Sequence, residues 1–437
     1  MCGIVGFLSS GHLHRPSALT TYSDVVQTLT SAPARKAWDQ VDDALSTLAG
    51  SFDGMMSFAT FRDVVCERKA KDVFQALAAS LRGALGAVSE EITQGGLSDL
   101  LRKLNESLRD YLWQVEVEVL GLEEKVQVIL PDDKSKTNVS RLFMAWAVER
   151  VLGSLDKLEV RGRDSAGITI AVPVKGDWLP KREFDAELQR RAALDEAATG
   201  DAVLAAGHGQ RVLRVTHKVA NLVGRLGDNG ATLRAAIRND SLLWTAADVL
   251  DGLNIVAHTR WASNGLITIS NCHPVSGQVM GAEGGRDVLS VINGDIDNYE
   301  QLMATAVRGR GLACNPTVTT DAKILPVKLA LDTDSKAGAT DRLMTSLRSC
   351  HGSLATAVQF LLEPRQLVIG QQGSGQALYV GTTADGWLFA SEVYGLAAAS
   401  RRYRSLNTGG ESGVVVNLSV RDEELEFSGR RLTGEPW

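Results

Sequence analysis

At its second position the chain carries a thiol, Cys2, followed by Gly3 and the apolar run Ile4-Val5-Gly6-Phe7-Leu8. An initiator methionine is normally removed when the next residue is small, which would leave Cys2 with a free α-amine. An unperturbed α-amine titrates near ~7.7–8.0 and a thiol near ~8.5, so at neutral pH the pair sits close to the balance point for proton transfer. One residue would then supply both nucleophile and general base. A retained Met1 would block the amine and leave such a chain inactive. Taken alone the signal is weak, because a free cysteine in a first strand is commonly just a small buried residue.

Other polar residues fall in short words between apolar runs. Arg161-Gly162-Arg163-Asp164-Ser165-Ala166-Gly167 precedes a strand, and Ala257-His258-Thr259-Arg260-Trp261-Ala262-Ser263-Asn264-Gly265 follows one. Asn271-Cys272-His273-Pro274, Ile292-Asn293-Gly294-Asp295-Ile296-Asp297-Asn298-Tyr299 and Thr319-Thr320-Asp321 come next. Together with Cys2-Gly3-Ile4-Val5-Gly6, this set closely resembles the glutaminase domain of glutamine:fructose-6-phosphate aminotransferase, also called glucosamine-6-phosphate synthase. There the words read RGYDSAG, HTRWATHG, NAHP, NGIIENY and ETDTE. The resemblance covers Met1 to about Ser9 and about Val148 to Gly429, with extra length near Asp177 to Asp201. It departs from the family at Ser263 and Asn264, where threonine and histidine are usual, and at Lys323, where an acid is usual. Those departures touch substrate affinity and coupling rather than the nucleophile.

The resemblance implies a class II glutamine amidotransferase in which Cys2 hydrolyses the side-chain amide of glutamine through a thioester and releases ammonia. Attack on the amide makes a tetrahedral oxyanion that needs preorganised donors. The Asn293 carboxamide and the Gly294 N–H fit that role, although a lone Asn-Gly step also reads as a hairpin turn. Glutamine is a zwitterion, so each end of its head group must meet an opposite charge. Arg260 can fork onto the carboxylate, and Asp321 can accept the ammonium. Trp261 would cover the site at the mouth of an ammonia passage, with a packed core tryptophan as the plainer alternative, and Ser263 would add a hydrogen bond to substrate. Arg161 and Asp164 are expected to hold the N-terminal strand in place rather than touch substrate. His258 and His273 are read as structural, because the α-amine makes a histidine base unnecessary, with His273-Pro274 shaping a turn. Cys272 reads as a small buried residue.

No cofactor or metal is expected. His12-Leu13-His14 lacks partner ligands at metal spacing. Gly370-Gln371-Gln372-Gly373-Ser374-Gly375 lacks the Lys-Ser/Thr of a phosphate loop and reads as a hairpin turn.

The elements that must position these residues are of two kinds. Short apolar runs at Cys2 to Leu8, Gly167 to Val172, Leu253 to Ala257, Val288 to Ile292, Leu354 to Leu362, Leu367 to Ile369, Ala377 to Val380, Trp387 to Ala390 and Val414 to Leu418 read as strands. Between the first two lies a stretch with helical spacing in Ala34 to Leu48, Phe61 to Val88, Leu97 to Leu120 and Val139 to Leu158, broken by the charged run Pro131 to Lys136. Trp38, Trp113 and Trp146 are assigned to the seams of that bundle. Asp177 to Asp201 reads as a surface helix or mobile insertion. The fold class is therefore α+β. By resemblance it is the N-terminal nucleophile hydrolase four-layer α/β/β/α sandwich with antiparallel sheets, interrupted by a helical bundle. The expected domains are 1–9 plus 147–437 for the amidotransferase and 10–146 for the helical insertion.

The chain of 437 residues is 44% apolar and 22% charged, with a formal net charge of −6, the profile of an ordinary globular protein without an electrostatic footprint for nucleic acid. No apolar run is long enough to span a bilayer. The N-terminus lacks the basic region of a secretory signal. The five cysteines form no disulfide framework or CxxC pair, which points to a reducing cytoplasm. The expected partners are glutamine and, from the resemblance, sugar-isomerase domains that form an amino sugar phosphate. No segment up to Pro436-Trp437 matches those domains, so they are expected on a continuation of the chain or on another subunit. An exposed apolar stripe on the helices would also allow homo-oligomer contacts. Two other readings stay open at this stage: ammonia supply to a different acceptor, and a catalytically silent scaffold whose helical insertion docks a partner.

Overall fold

The computed structural model describes residues 2–11, 19–95, 98–132, 138–176, 178–194, 198–207, 210–221, 225–263, 265–280, 285–332, 337–406, 413–421 and 424–437. Met1, His12-Leu13-His14, Asp177, Asn264 and most of the charged break at Pro131 to Lys136 lie outside them. The chain divides into two compact units, Leu13–Leu142 and Met1–His12 with Phe143–Trp437.

The larger unit holds the strands. In chain order they are β1 (Gly3–Ser9), β2 (Ser165–Val174), β3 (Asp201–Gly207), β4 (Gln210–Val219), β5 (Leu253–Arg260), β6 (Val275–Ser276) and β7 (Val288–Gly294). There follow β8 (Leu354–Phe360), β9 (Gln366–Gln372), β10 (Tyr379–Thr383), β11 (Gly386–Ala390), β12 (Tyr403–Ser405), β13 (Val414–Arg421) and β14 (Glu424–Arg431). Among the described residues they form an eight-stranded sheet, β12-β10-β11-β1-β5-β2-β4-β3, and a six-stranded sheet, β14-β13-β9-β8-β7-β6, with antiparallel neighbours throughout.

Alternation along β1 shows how the layers stack. Ile4 and Leu8 enter a core shared with Val291, Ala355, Leu367, Ile369, Val414 and Val416 of the second sheet. Phe7 points the other way, edge-on to Trp146 at 5.9 Å between ring centroids. A strand buried on both faces must be apolar at every position, which is why β1 reads as a continuous run rather than an alternation. On the far side of the second sheet, the helices Tyr299–Ala306, Ile324–Leu331 and Ala339–Arg348 bury Leu302, Ile324, Leu325, Leu343 and Leu347. The result is a helix/sheet/sheet/helix sandwich, as the resemblance implies.

The strands β3 and β4 were not legible in the sequence, and the segment before them is only partly the surface element expected of Asp177 to Asp201. Asp185–Ala192 is a helix, but its Arg191 is buried. Arg191 reaches Asp240 through two bonds of 2.8 and 2.7 Å, and His217 on β4 meets the same carboxylate at 2.9 Å. A charged residue on a polar helix reads as solvated until its counterion, far away in sequence, is seen.

The smaller unit is a helical bundle. Its core joins Tyr22, Leu29, Val41, Leu45, Leu48, Phe74, Leu77, Leu81, Leu104 and Leu108. The helix Leu19–Ser31 was not read from the sequence. It is rich in threonine and serine, poor helix formers, and Ser23, Thr28 and Thr30 turn their hydroxyls back onto carbonyls four residues earlier. The run Phe61 to Val88 is two helices, Phe58–Cys66 and Arg68–Thr93, broken where Glu67 is extended. Neither proline nor glycine marks that break. Trp113 is 46% exposed rather than in a seam, at the start of a π-helical stretch, Gln114–Leu120. Trp146 belongs to the other unit, against Phe7. Among the described residues no helix is long and apolar enough to cross a membrane.

Burial alone would raise the Asp240 carboxyl, but the hydrogen bonds from His217 and Arg191 outweigh it and hold the group well below the ordinary carboxylate range. Its contribution to stability is complete at neutral pH and is lost only as the pH falls through the folded value. Asp240→Asn leaves the buried Arg191 charge with only Glu187, at 3.4 Å, as counterion, and urea unfolding at pH 7 is expected to show a loss of about 2–4 kcal/mol. A loss below about 1 kcal/mol would show that the pair does not hold this helix.

Candidate active site

The pairing of β1 with β5 does the first part of the positioning. Gly3 lies opposite Thr259, so Cys2 arrives beside Arg260 and Trp261 at the end of β5. The Trp261 N–H donates to Cys2 Sγ at 3.3 Å, and the thiol faces the Trp261 carbonyl at 3.6 Å. Burial raises the Cys2 thiol above its ordinary value, opposed by the Trp261 N–H and the Arg260 charge.

The second sheet supplies the opposite wall. Asn293 and Gly294 end β7, and the Asn293 Nδ2 donates to the Cys2 carbonyl at 3.0 Å. Gly294 has φ +94°, and a Cβ there would run into the Ser353 carbonyl oxygen. Only glycine combines that left-handed turn with so close a backbone approach.

Of the residues expected to grip a substrate head group, Arg260 stands nearest the thiol, and its charge is felt by both Cys2 and Asp321. Arg260 is 3% exposed and donates from Nη1 to the Leu266 carbonyl at 3.1 Å. Asp321 accepts from the Ile296 N–H at 2.7 Å, and burial pushes its carboxyl above the ordinary value. Ser263 Oγ donates to Asp295 at 2.8 Å, tying the turn after β5 to the turn after β7. Trp261 touches Cys2 through its backbone, while the residue as a whole is 55% exposed.

Arg161 and Asp164 do not contact the thiol. Asp164 accepts from the Ala262 N–H at 2.7 Å and so fixes the turn that carries Trp261. Arg161 pairs with Glu392. The neighbouring Ser391 brackets Ile4, accepting from its N–H at 3.0 Å through Oγ and donating its own N–H to the Ile4 carbonyl at 2.9 Å.

Below the site, His258 on β5 reaches the Ile292 carbonyl on β7 at 3.0 Å and His273 Nδ1 at 3.2 Å. Burial pushes His258 down to about 3 and His273 well below the usual histidine range, so both rings are neutral. Neither ring is recorded in contact with Cys2. The His273–Pro274 bond is cis, and Cys272 is fully buried.

Sequence reasoning overlooked Asn271, Asp295, Ser391 and Glu392. The first two stand inside words that the resemblance marks, but their partners, Thr319-Thr320 for Asn271 and Ser263 for Asp295, lie on other segments. Ser391 and Glu392 lie in none of those words.

A cysteine at position 2 leading into a central strand, a facing Asn-Gly strand end and two packed antiparallel sheets are the arrangement that the resemblance to a glutaminase domain implies. In sequence the chain is similar to glutamine–fructose-6-phosphate aminotransferase [isomerizing]. It is 30% identical over 178 residues to the protein of Vibrio cholerae, covering 40% of this chain and 26% of that one. It is likewise 30% identical over 164 residues to that of Pseudomonas putida, covering 38% and 25%. With the protein of Rhizobium leguminosarum the match runs over 281 residues at 26% identity, covering 64% of this chain and 35% of that one. The chain spans about a quarter of the length of the first two relatives. No family model matches it. Among solved structures, glutamine phosphoribosylpyrophosphate amidotransferase from B. subtilis, complexed with ADP and GMP, aligns with a TM-score of 0.38 at 14% identity, over 65% of this chain and 47% of that one.

The raised thiol makes a testable demand. Alkylation of Cys2 by iodoacetamide, followed by peptide mass mapping because Cys66 is also free and exposed, is expected to accelerate with pH to a midpoint above the ~8.5 of a free thiol. A midpoint below about 7.5 would mean that Trp261 and Arg260 outweigh burial.

Proposed function

We propose that the chain is a glutaminase that splits glutamine into glutamate and ammonia through a Cys2 thioester. After removal of Met1, the Cys2 α-amine takes the thiol proton as Sγ attacks the substrate's amide carbon. The oxyanion is met by the Asn293 Nδ2 and the Gly294 N–H. An amide nitrogen carries two hydrogens, so the bond from Asn293 to the Cys2 carbonyl leaves one for substrate. The protonated amine then hands its proton to the leaving nitrogen, ammonia departs, and water cleaves the thioester. Arg260 receives the α-carboxylate, Asp321 the α-ammonium, and Ser263 a further hydrogen bond, while Trp261 lies over the entrance. The observation that carries this reading is the convergence of Asn293 and Trp261, from facing sheets, on Cys2, the residue that removal of Met1 would leave with both thiol and α-amine.

The likeness to glutamine–fructose-6-phosphate aminotransferase extends the proposal: the ammonia serves formation of an amino sugar phosphate on sugar-isomerase domains outside this sequence. All five cysteines are free, which supports a cytoplasmic setting. The helical unit is read as an insertion into the amidotransferase domain.

Intact mass before and after a glutamine-like diazoketone tests the reading. Loss of Met1 and one adduct on Cys2 are expected, with Cys2→Ala unlabelled and inactive. Asn293→Ala should lower kcat by about 10²–10³. A protein that keeps Met1, takes no label and still hydrolyses glutamine would overturn the mechanism. Glutaminase rates that ignore fructose 6-phosphate would favour a different acceptor.

A further inference from the structure

Arg260 and Asp321 lie on segments far apart in sequence, and a zwitterionic head group can be gripped only if their separation is fixed. Among the described residues, the side chain of Asn271 spans those segments. Asn271 is fully buried, on the 3₁₀ turn Ile269–Asn271. Its Nδ2 donates to the Leu266 carbonyl at 3.1 Å and to Thr319 Oγ1 at 2.9 Å. Its Oδ1 accepts from the Thr319 N–H at 2.7 Å and the Thr320 N–H at 3.1 Å. Both donors and both acceptor sites of one carboxamide are thereby used. The Leu266 carbonyl is also the group that accepts from Arg260 Nη1, at 3.1 Å. Thr319 and Thr320 lead directly into Asp321, whose carboxylate is in turn pinned by the Ile296 N–H at 2.7 Å.

The chain of bonds therefore runs from Arg260 through Leu266, Asn271 and Thr319-Thr320 to Asp321. Gly265 has φ +80°, and a Cβ there would crowd Thr319 Oγ1 and Asn271 Nδ2. Asn271 is itself held, its N–H bonded to the Thr268 carbonyl at 3.2 Å.

We infer that Asn271 is the positioning residue that sets the distance between the carboxylate-binding arginine and the ammonium-binding aspartate, and so selects an α-amino acid head group. The inference rests on the proposed glutaminase reading. It assigns Asn271 no role at the reacting amide, which lies at Cys2, Asn293 and Gly294. Aspartate at this position would still accept from the two threonine N–H groups. It would present a carboxylate to the Leu266 carbonyl and compete for the Arg260 charge, so the fold should survive while the spacing fails.

The test compares processed wild type, Asn271→Asp and Asn271→Ala, with thermal midpoints recorded for each. Three readouts are needed: kcat and KM for glutamine, the preference for glutamine over glutaramic acid (the same amide without the α-amine), and Cys2 alkylation by iodoacetamide, which needs no head group. The expected result is a KM raised about ten- to a hundredfold, kcat within about threefold, a collapsed preference for glutamine, and iodoacetamide rates within about twofold. Thr319→Val, which removes one of the four bonds, should raise KM by no more than about tenfold. An unchanged KM in both Asn271 variants would overturn the inference, as would kcat and the iodoacetamide rate falling together. Failure of the underlying reading looks different: the wild type itself would neither hydrolyse glutamine nor take the diazoketone on Cys2.

Discussion

Asn293 reaches across the gap between two sheets to hold the carbonyl of Cys2, and the geometry around the thiol depends on that crossing. A residue next to a chain terminus is ordinarily among the least ordered. Here it is tied from both sides, by a donor from β7 and by the end of β5, and the strand behind it is wedged between β5 and β11. Rigid placement on strands rather than loops suits a centre where about an ångström of misplacement is costly.

Holding two sheets in one register requires more than apolar packing, because greasy faces can slide. Directional contacts between the sheets supply the missing specificity. His258 meets Ile292 directly beneath the site. Further along, Gln359 on β8 donates to both the carbonyl and the side chain of Asn254 on β5 at 2.9 and 3.1 Å, and faces Thr169 on β2 at 3.3 Å. Buried polar groups are costly unless satisfied, so such contacts penalise every other register. Burial keeps His258 uncharged, which lets the ring serve as a strut without bringing a second cation beside Arg260.

The same division of labour runs through the rest of the site. Asp164 and the Arg161–Glu392 pair act on backbone near the thiol rather than on the thiol itself. Asn271 links the two loops that carry opposite charges. Few of these residues would draw notice as chemistry, yet together they leave the charged groups little freedom to collapse onto one another. The helical unit is built by a simpler rule, with one continuous apolar seam through Leu29, Leu48, Phe74, Leu81 and Leu104.

Local signals were strong wherever one segment carried its own reason. The apolar run of β1 and the helix Val139–Leu158 could be read directly from residue type and spacing, while the Asn-Gly step and the Arg-Trp pair at the end of β5 stood out through the family resemblance. Signals failed where the reason lay on another segment. The strand β4 carries buried charge, Arg214 meeting Asp201 at the start of β3 at 3.3 Å, and so breaks the apolar alternation that marks a strand. Arg191 looks like a solvated helix residue until Asp240 is found beside it. Leu19–Ser31 has unfavourable helix composition, and only its packing on Phe74 through Tyr22, with ring centroids 4.9 Å apart, accounts for it. The sequence by itself determined which groups are available for chemistry and on what kind of element each sits, because those properties are set within a few residues. Which of them meet, at what distance and in what protonation state was decided only by the tertiary structure, because burial and pairing depend on segments hundreds of residues apart.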